Sequence, residues 1–176
     1  MWSREGRIAP VGFARALALA CLIGVTGCQV RPLYSATPTE AGPQADLPAI
    51  SVAAPITREE QVYRNELLFR LRGGSAGEAP RYNLVYRLTI REQAILIERG
   101  SGTPNVYQLT GGVSFLVKDA ATGESLFGSS VTSINSYSRS SQNFANIRAR
   151  RDAEDRLAKA LADLTRARLT AYFATN

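Results

Sequence analysis

Cysteine is the residue type with the most distinctive chemistry in this chain, which has two cysteines and no histidine. Cys28 closes the tetrad Val25-Thr26-Gly27-Cys28, directly behind an apolar segment that contains the other cysteine, Cys21. The lack of histidine removes the commonest metal ligand and the commonest general base near neutral pH. A serine nucleophile with a lysine base would have only Lys118 and Lys159 to use, and neither lies in a recognisable nucleophile motif. We therefore predict no enzymatic activity, no catalytic residue, no metal site and no cofactor.

The residues before Cys28 have the architecture of a secretory signal peptide. Arg4 and Arg7 form a basic start, and residues 16 to 25 form an apolar run that is too short to cross a bilayer. The tetrad resembles the bacterial lipobox, in which the peptidase cuts before a cysteine that carries a diacylglyceryl group. This predicts removal of residues 1–27 and lipid attachment at Cys28. The alternative is a plain signal peptide whose cleavage site happens to precede a cysteine.

The lipid on Cys28 would hold the mature protein on a membrane, because several acyl chains exceed what stable anchoring requires. Gln29 follows the cysteine, where the enterobacterial retention signal is Asp, so we expect transport to the outer membrane. Cys21 would leave with the signal peptide and Cys28 would be blocked. The mature chain would then have no free thiol for a disulfide.

The segment behind the cysteine is rich in Pro, Ala, Thr and Gly and lacks apolar periodicity. We interpret residues 28–48 as a flexible tether and residues 49–176 as one folded domain. The net charge of the chain is +6, of which the signal segment accounts for +2. A basic exported domain is expected to meet anions other than nucleic acid, and lipopolysaccharide is the dense anion of an outer membrane. The alternative is that the arginines only solubilise helix surfaces.

Periodicity along the domain predicts two helices and four strands. Thr57 and Glu60 form a capping-box pattern before a helix from about Arg58 to Arg72, which Gly73 and Gly74 should end. We expect this helix to bury one apolar stripe, which consists of Val62, Tyr63, Leu67, Phe69 and Leu71. A second helix is predicted from about Phe144 to Phe173, with its buried stripe at Ala149, Ala153, Leu157, Leu161, Leu164, Ala167 and Ala171.

The remaining segments alternate between apolar and polar residues, as half-buried strands do. A short strand near Ile50 precedes the first helix, and three strands follow it, at residues 82–97, 107–118 and 125–137. The prediction is an α+β fold with order βαβββα: a four-stranded, antiparallel-dominated mixed sheet with both helices packed on one face. The other face would be open to a partner or a ligand.

Several stretches in this order resemble the LptE family of lipopolysaccharide-assembly lipoproteins. They are RPLY behind the cysteine, YRNELLFRLRG in the first helix, YRLTI in the long strand, and SYSRSSQNFANIRARRDAEDRLAKALADLTRARLTAYF. The resemblance implies an outer-membrane lipoprotein that plugs the LptD β-barrel, helps to assemble it, and contacts lipopolysaccharide. The alternative function is an unrelated lipoprotein that binds peptidoglycan or pilots a secretin.

The resemblance does not single out contact residues, so we select them by chemistry. Arg91, Arg99 and Lys118 lie at strand ends or beside a turn, where cations can meet phosphates, so we predict lipopolysaccharide contacts there. The hydroxyl-rich fourth strand suits the polar lumen of a barrel, and Ser133 and Ser138 are the predicted partner contacts.

Overall fold

The structure of the protein is a computed structural model, which describes residues 46–74, 78–97 and 104–175. A 3₁₀ turn (Leu47–Ala49) precedes the regular elements. These are β1 (Ile50–Val52), α1 (Arg58–Arg72), β2 (Tyr82–Ile97), β3 (Pro104–Asp119), β4 (Ser125–Ser138) and α2 (Asn143–Phe173). The predicted α+β class and the order βαβββα are confirmed.

The four strands form one mixed sheet in the spatial order β1-β2-β3-β4. β1 runs parallel to β2, because α1 crosses over between them, and the other two pairings are antiparallel. In this register Leu84 pairs with Val117, and Val117 pairs with Phe127. These three side chains therefore share the face on which both helices pack, and the alternate residues point to the opposite face.

Local signals set the bounds of α1. The Glu60 N–H donates to Thr57 Oγ1 over 3.2 Å, and Gly73 ends the helix in the left-handed conformation at φ 60°. The Glu60 carboxylate accepts from the N–H of Ile56 over 2.7 Å, so the reciprocal bond of the box falls one residue earlier than predicted. Phe69 was expected in the buried stripe and is 64% exposed. It lies two residues from both Leu67 and Leu71, on the opposite side of the helix.

α2 packs mainly on β3 and β4 and supplies much of the core. Its buried residues are Ala153, Leu157, Ala158, Leu161, Ala162, Thr165, Leu169 and Thr170. The first half of the predicted stripe is therefore right, whereas Leu164, Ala167 and Ala171 are exposed.

The buried side of α2 differs between its first and second halves because α2 packs against α1 as well as against the sheet. Thr165 is fully buried there: its hydroxyl accepts from Tyr63 Oη over 3.1 Å and donates to the carbonyl of Leu161 over 2.9 Å. A hydroxyl with both partners inside the protein can be buried without an unsatisfied polar group.

Two residues just before the predicted domain start at residue 49 take part in the packing. Leu47 is 2% exposed within the core, and Asp46 forms an ion pair with Arg81 at 2.7 Å. Residues 1–45, with the predicted signal peptide, Cys28 and most of the tether, lie outside the described residues. Within the described ranges, neither helix combines the length and apolarity needed to span a membrane.

Candidate functional site

The face of the sheet opposite the helices is the candidate site, and we call it the open face. It consists of Ser51 of β1, the odd-numbered residues of β2 as far as Gln93, where a bulge follows, and the even-numbered residues of β3 and β4. On β4 the even-numbered residues are all exposed, whereas the odd-numbered ones from Phe127 onward are half-buried or buried. Between its charged positions the open face carries small hydroxyl and amide side chains, namely Ser51, Asn83, Thr89, Gln93, Gln108, Thr110, Ser114, Ser130, Thr132, Ser136 and Ser138.

Three cations lie in a line along the open face. Lys118 pairs with Asn83, so Lys118, Arg87 and Arg91 occupy rows that are four residues apart along β2. At about 3.3 Å per residue the spacing between neighbours is about 13 Å. Arg91 and Lys118 therefore share one face but lie about 26 Å apart, too far to hold one phosphate together. Arg87 lies between them. It was not among the predicted contact residues, although Arg87 and Arg91 are both odd-numbered residues of one strand and therefore share a face.

The cations of the open face differ from those of the helices in their partners. Among the described residues, none of the three cations Arg87, Arg91 and Lys118 forms an ion pair, and no carboxylate lies on the open face. On the helix side, by contrast, Arg58 pairs with Asp155 at 2.9 Å and Arg70 with Asp163 at 2.6 Å. The open face therefore carries positive charge that no carboxylate of the described residues offsets there.

Apolar side chains stand at both ends of the line of cations. Ile134 is 61% exposed in the row of Arg91, and Ile95 is 51% exposed further along β2. Val85 and Leu126 are exposed toward the Lys118 end. Separate positive charges with apolar side chains between and beside them suit a large amphiphile with several anionic groups.

The other predicted site residues are placed as follows. Ser138 is exposed on the open face. Ser133 instead pairs with Gly111, which lies against Leu157 and Leu161 of α2, so its half-buried side chain is on the helix side. The prediction treated the hydroxyl residues of β4 as one surface, whereas strand alternation divides them between two. Arg99 and Cys28 lie outside the described residues.

A polar cluster lies on the helix side, where β2 extends past the start of α1. Arg150 bridges Glu92 and Glu154 at 3.1 Å each, and Tyr137 Oη donates to Glu92. Burial, and then this hydrogen bond to Glu92, raises the pKa of Tyr137 to about 12. Burial is also the main reason that the pKa of Glu154 is raised, which the charge of Arg150 opposes.

This cluster has the character of an internally paired network rather than a reactive centre. The cation lies between two of the carboxylates, and the phenol donates to one of them, so each group already has a partner. Across residues 46–74, 78–97 and 104–175 there is no group of three His, Cys, Asp or Glu residues placed to hold a metal ion. The open face remains the better candidate for binding.

The family model described as "LptE: Lipopolysaccharide-assembly" matches residues 47–169, more than half of the chain. Comparison with curated protein sequences gives no match.

Two solved structures share the fold. A protein of Caulobacter crescentus CB15 described as a lipoprotein is 24% identical, with a TM-score of 0.63 over 76% of this chain and 97% of that chain. A minor lipoprotein of Acinetobacter baumannii is 19% identical, with a TM-score of 0.54 over 69% of this chain and 90% of that one. At these identities the likeness supports the fold alone.

Proposed function

Since this chain belongs to the LptE lipopolysaccharide-assembly family, we propose that it is an outer-membrane lipoprotein that binds lipopolysaccharide on its open face. It is anchored through Cys28 and plugs the LptD barrel, which it also helps to assemble. The family match supports a role in lipopolysaccharide assembly. The anchor is supported by the lipobox-like tetrad before Cys28. In this role the protein acts by binding, without catalysis.

The line of Arg87, Arg91 and Lys118 is the observation that carries the proposed binding site. Lipid A and the inner core present several phosphates and carboxylates on one molecule, next to acyl chains. Cations about 13 Å apart contact separate anionic groups rather than clamp one of them. The exposed Ile95 and Ile134 then lie beside apolar parts of the same ligand.

Lipopolysaccharide binding by the full-length protein in detergent tests this site. Replacing Arg87, Arg91 and Lys118 together by Gln is expected to weaken binding at least tenfold. A hydrogen bond to a charged group contributes about 1.5–3 kcal/mol, and about 1.4 kcal/mol corresponds to a factor of ten. The thermal unfolding midpoint should change little, because exposed charges contribute about 0–1 kcal/mol to stability.

A control with the same loss of charge separates a specific site from general attraction. Gln at Arg151, Lys159 and Arg168 removes three exposed cations from α2. This variant should keep most of its affinity. If both variants lose affinity equally, the attraction comes from net charge; if the open-face variant binds like the wild type, lipopolysaccharide does not use this face.

The proposed barrel contact follows from the polarity of the domain surface. The lumen of a membrane barrel is polar, so a plug needs many modest polar contacts rather than an apolar belt. We expect a photo-crosslinking residue at Ser138 to capture a large outer-membrane barrel protein in cells. The same residue at Leu161, which is buried between α2 and the sheet, should capture no other protein. The absence of any barrel adduct at Ser138 in the exported, folded protein would remove this contact.

A further inference from the structure

The outer edge of β4 has no strand beside it in the described part of the protein. The N–H of Arg139 donates to the carbonyl of Asn105 over 2.8 Å, so the odd-numbered residues of this strand bond to β3. The even-numbered residues of β4 therefore direct their N–H and C=O groups outward. Such a row of backbone groups is a template for another strand.

β4 lacks the features that usually protect an edge strand. Residues 125–138 include no charged residue and no proline, although they form a strand of 14 residues. Ser136 is the exception, because its N–H donates to Asn135 Oδ1 over 2.9 Å and its C=O accepts from Arg156 over 3.3 Å. The outward groups of residues 126–134 have no such side-chain partner among the described residues.

The flank of α2 beside this edge is apolar and made mainly of small residues. Ala160, Leu164, Ala167 and Ala171 recur at steps of four and three, on the side from which Arg156 reaches Ser136. Leu164 is 41% exposed there. The sequence pattern predicts that Leu164, Ala167 and Ala171 are buried, but within the described residues nothing covers them.

We propose that β4 pairs antiparallel with β4 of a second copy of this chain, on a two-fold axis through Ser130. Residue 130 is the centre of the unprotected stretch, so pairing there uses its whole length. Two sheets of four strands would become one continuous sheet, with all helices on the same face.

The positions of the helices support a second copy as the occupant. α2 lies over β3 and β4, with Leu157 and Leu161 against Gly111 of β3 and Tyr172 stacked on Phe127 of β4. Because strands are about 4.8 Å apart, joining the two β4 strands places the two α2 axes about 10 Å apart. This is the distance at which helices pack, and small residues at the contact favour it.

The same two-fold axis also places the apolar stripe of one α2 at the same level along the strands as the apolar stripe of the other α2. Arg156 lies beside Ser136, and Tyr172 lies on Phe127. Interpolation between these contacts places Ala167 level with Ser130. The axis through Ser130 thus brings the stripe of one α2 against the stripe of the other. A strand of an unrelated protein would pair with the edge but leave this stripe exposed. The inference rests on the described residues and concerns the chain outside a barrel, because the dimer and the plug would compete for the same domain.

Disulfide formation in the full-length protein tests the axis. Ser130→Cys would place two thiols in a hydrogen-bonded pair with Cα atoms about 5.5 Å apart, within the range of a disulfide. Ser114 is the matched control, because it is an exposed serine in the same row on β3. Its counterpart in the dimer would be about 14 Å away, three strand spacings, and too far to bridge. The unsubstituted chain, with Cys21 and Cys28, gives the background.

We expect Ser130→Cys to give at least ten times more disulfide-linked dimer than Ser114→Cys under mild oxidation in detergent. Adding Leu164→Glu should reduce the Ser130→Cys dimer several-fold, whereas Lys159→Glu, exposed on another side of α2, should not. Circular dichroism must show that each variant is folded. If Leu164→Glu does not fold, Leu164→Ala is used in its place. Equal crosslinking at both serines, no dimer above background, or dimer unaffected by Leu164→Glu and Leu164→Ala would overturn the proposal.

Discussion

The contact between α2 and β3 at Gly111 allows a quantitative prediction for Gly111→Ala. A Cβ atom at this position would lie 2.9 Å from Leu157 Cδ2, 2.9 Å from Leu161 Cδ1 and 3.0 Å from Leu157 Cγ. Carbon atoms in contact prefer about 3.5–4.0 Å. Because Leu157 Cγ is a branch point rather than a chain end, turning one methyl group away does not relieve the overlap.

Two effects of opposite sign determine the result. Overpacking a filled core costs about 1–3 kcal/mol. Replacing glycine by alanine inside a strand gains about 0.5–1 kcal/mol through the entropy of the unfolded chain. We therefore expect the free energy of unfolding to fall by about 1–2 kcal/mol, which lowers the melting temperature by about 3–10 °C.

Gly112 provides the control for Gly111. It faces the open face, where an added Cβ would meet Thr89 Oγ1 at 3.5 Å and the Val131 carbonyl at 4.0 Å, both ordinary contacts. Gly112→Ala should keep or slightly raise the stability, as judged by circular dichroism during thermal and urea unfolding of the full chain. If both variants change stability equally, α2 does not contact the sheet at Gly111 as closely as described.

Three further predictions concern single groups. Tyr63→Phe removes a buried hydrogen bond and should cost about 1 kcal/mol in urea unfolding, whereas Tyr86→Phe should be nearly neutral because the Tyr86 hydroxyl has no described partner. Hydrogen bonds from backbone N–H groups, chiefly that of Thr122, lower the pKa of Asp119. The stability that Asp119 contributes is therefore present above its pKa in the unfolded chain and is lost as the pH falls through its pKa in the folded protein. NMR titration of Asp119 should give a midpoint below 3.8. Cys28→Ala should abolish incorporation of labelled fatty acid in cells, and labelling that persists would contradict lipid attachment at Cys28.

Elements with local signals could be predicted from the sequence almost to the residue. The bounds of α1 agree because the Thr57 hydroxyl and the Gly73 backbone act within one turn of the helix they limit. Strand alternation likewise predicted which side chains of β3 face the core. Such features depend on neighbours in the chain and need no knowledge of the tertiary contacts.

Features that depend on which elements meet were not predicted. Hydropathy alone ranks Leu164 above Thr165 as a core residue, but Tyr63 supplies the partner that allows Thr165 to be buried. The open face was expected, but its line of cations was not, because the rows of Arg91 and Lys118 follow from the register between β2 and β3. The same register places Ser133 on the helix side.

The order of the elements along the chain has a consequence for the time course of folding. The described elements that precede α2 leave much of the helix-side face of β3 and β4 uncovered, because α2 supplies most of the side chains that pack there, from Ala153 to Leu169. A chain that has emerged only as far as residue 142 therefore has a sheet without its apolar cover and cannot complete a cooperative core. Folding must wait until about residue 169 has been delivered. This delay leaves the chain unfolded for longer, which suits a polypeptide that crosses a membrane before it folds.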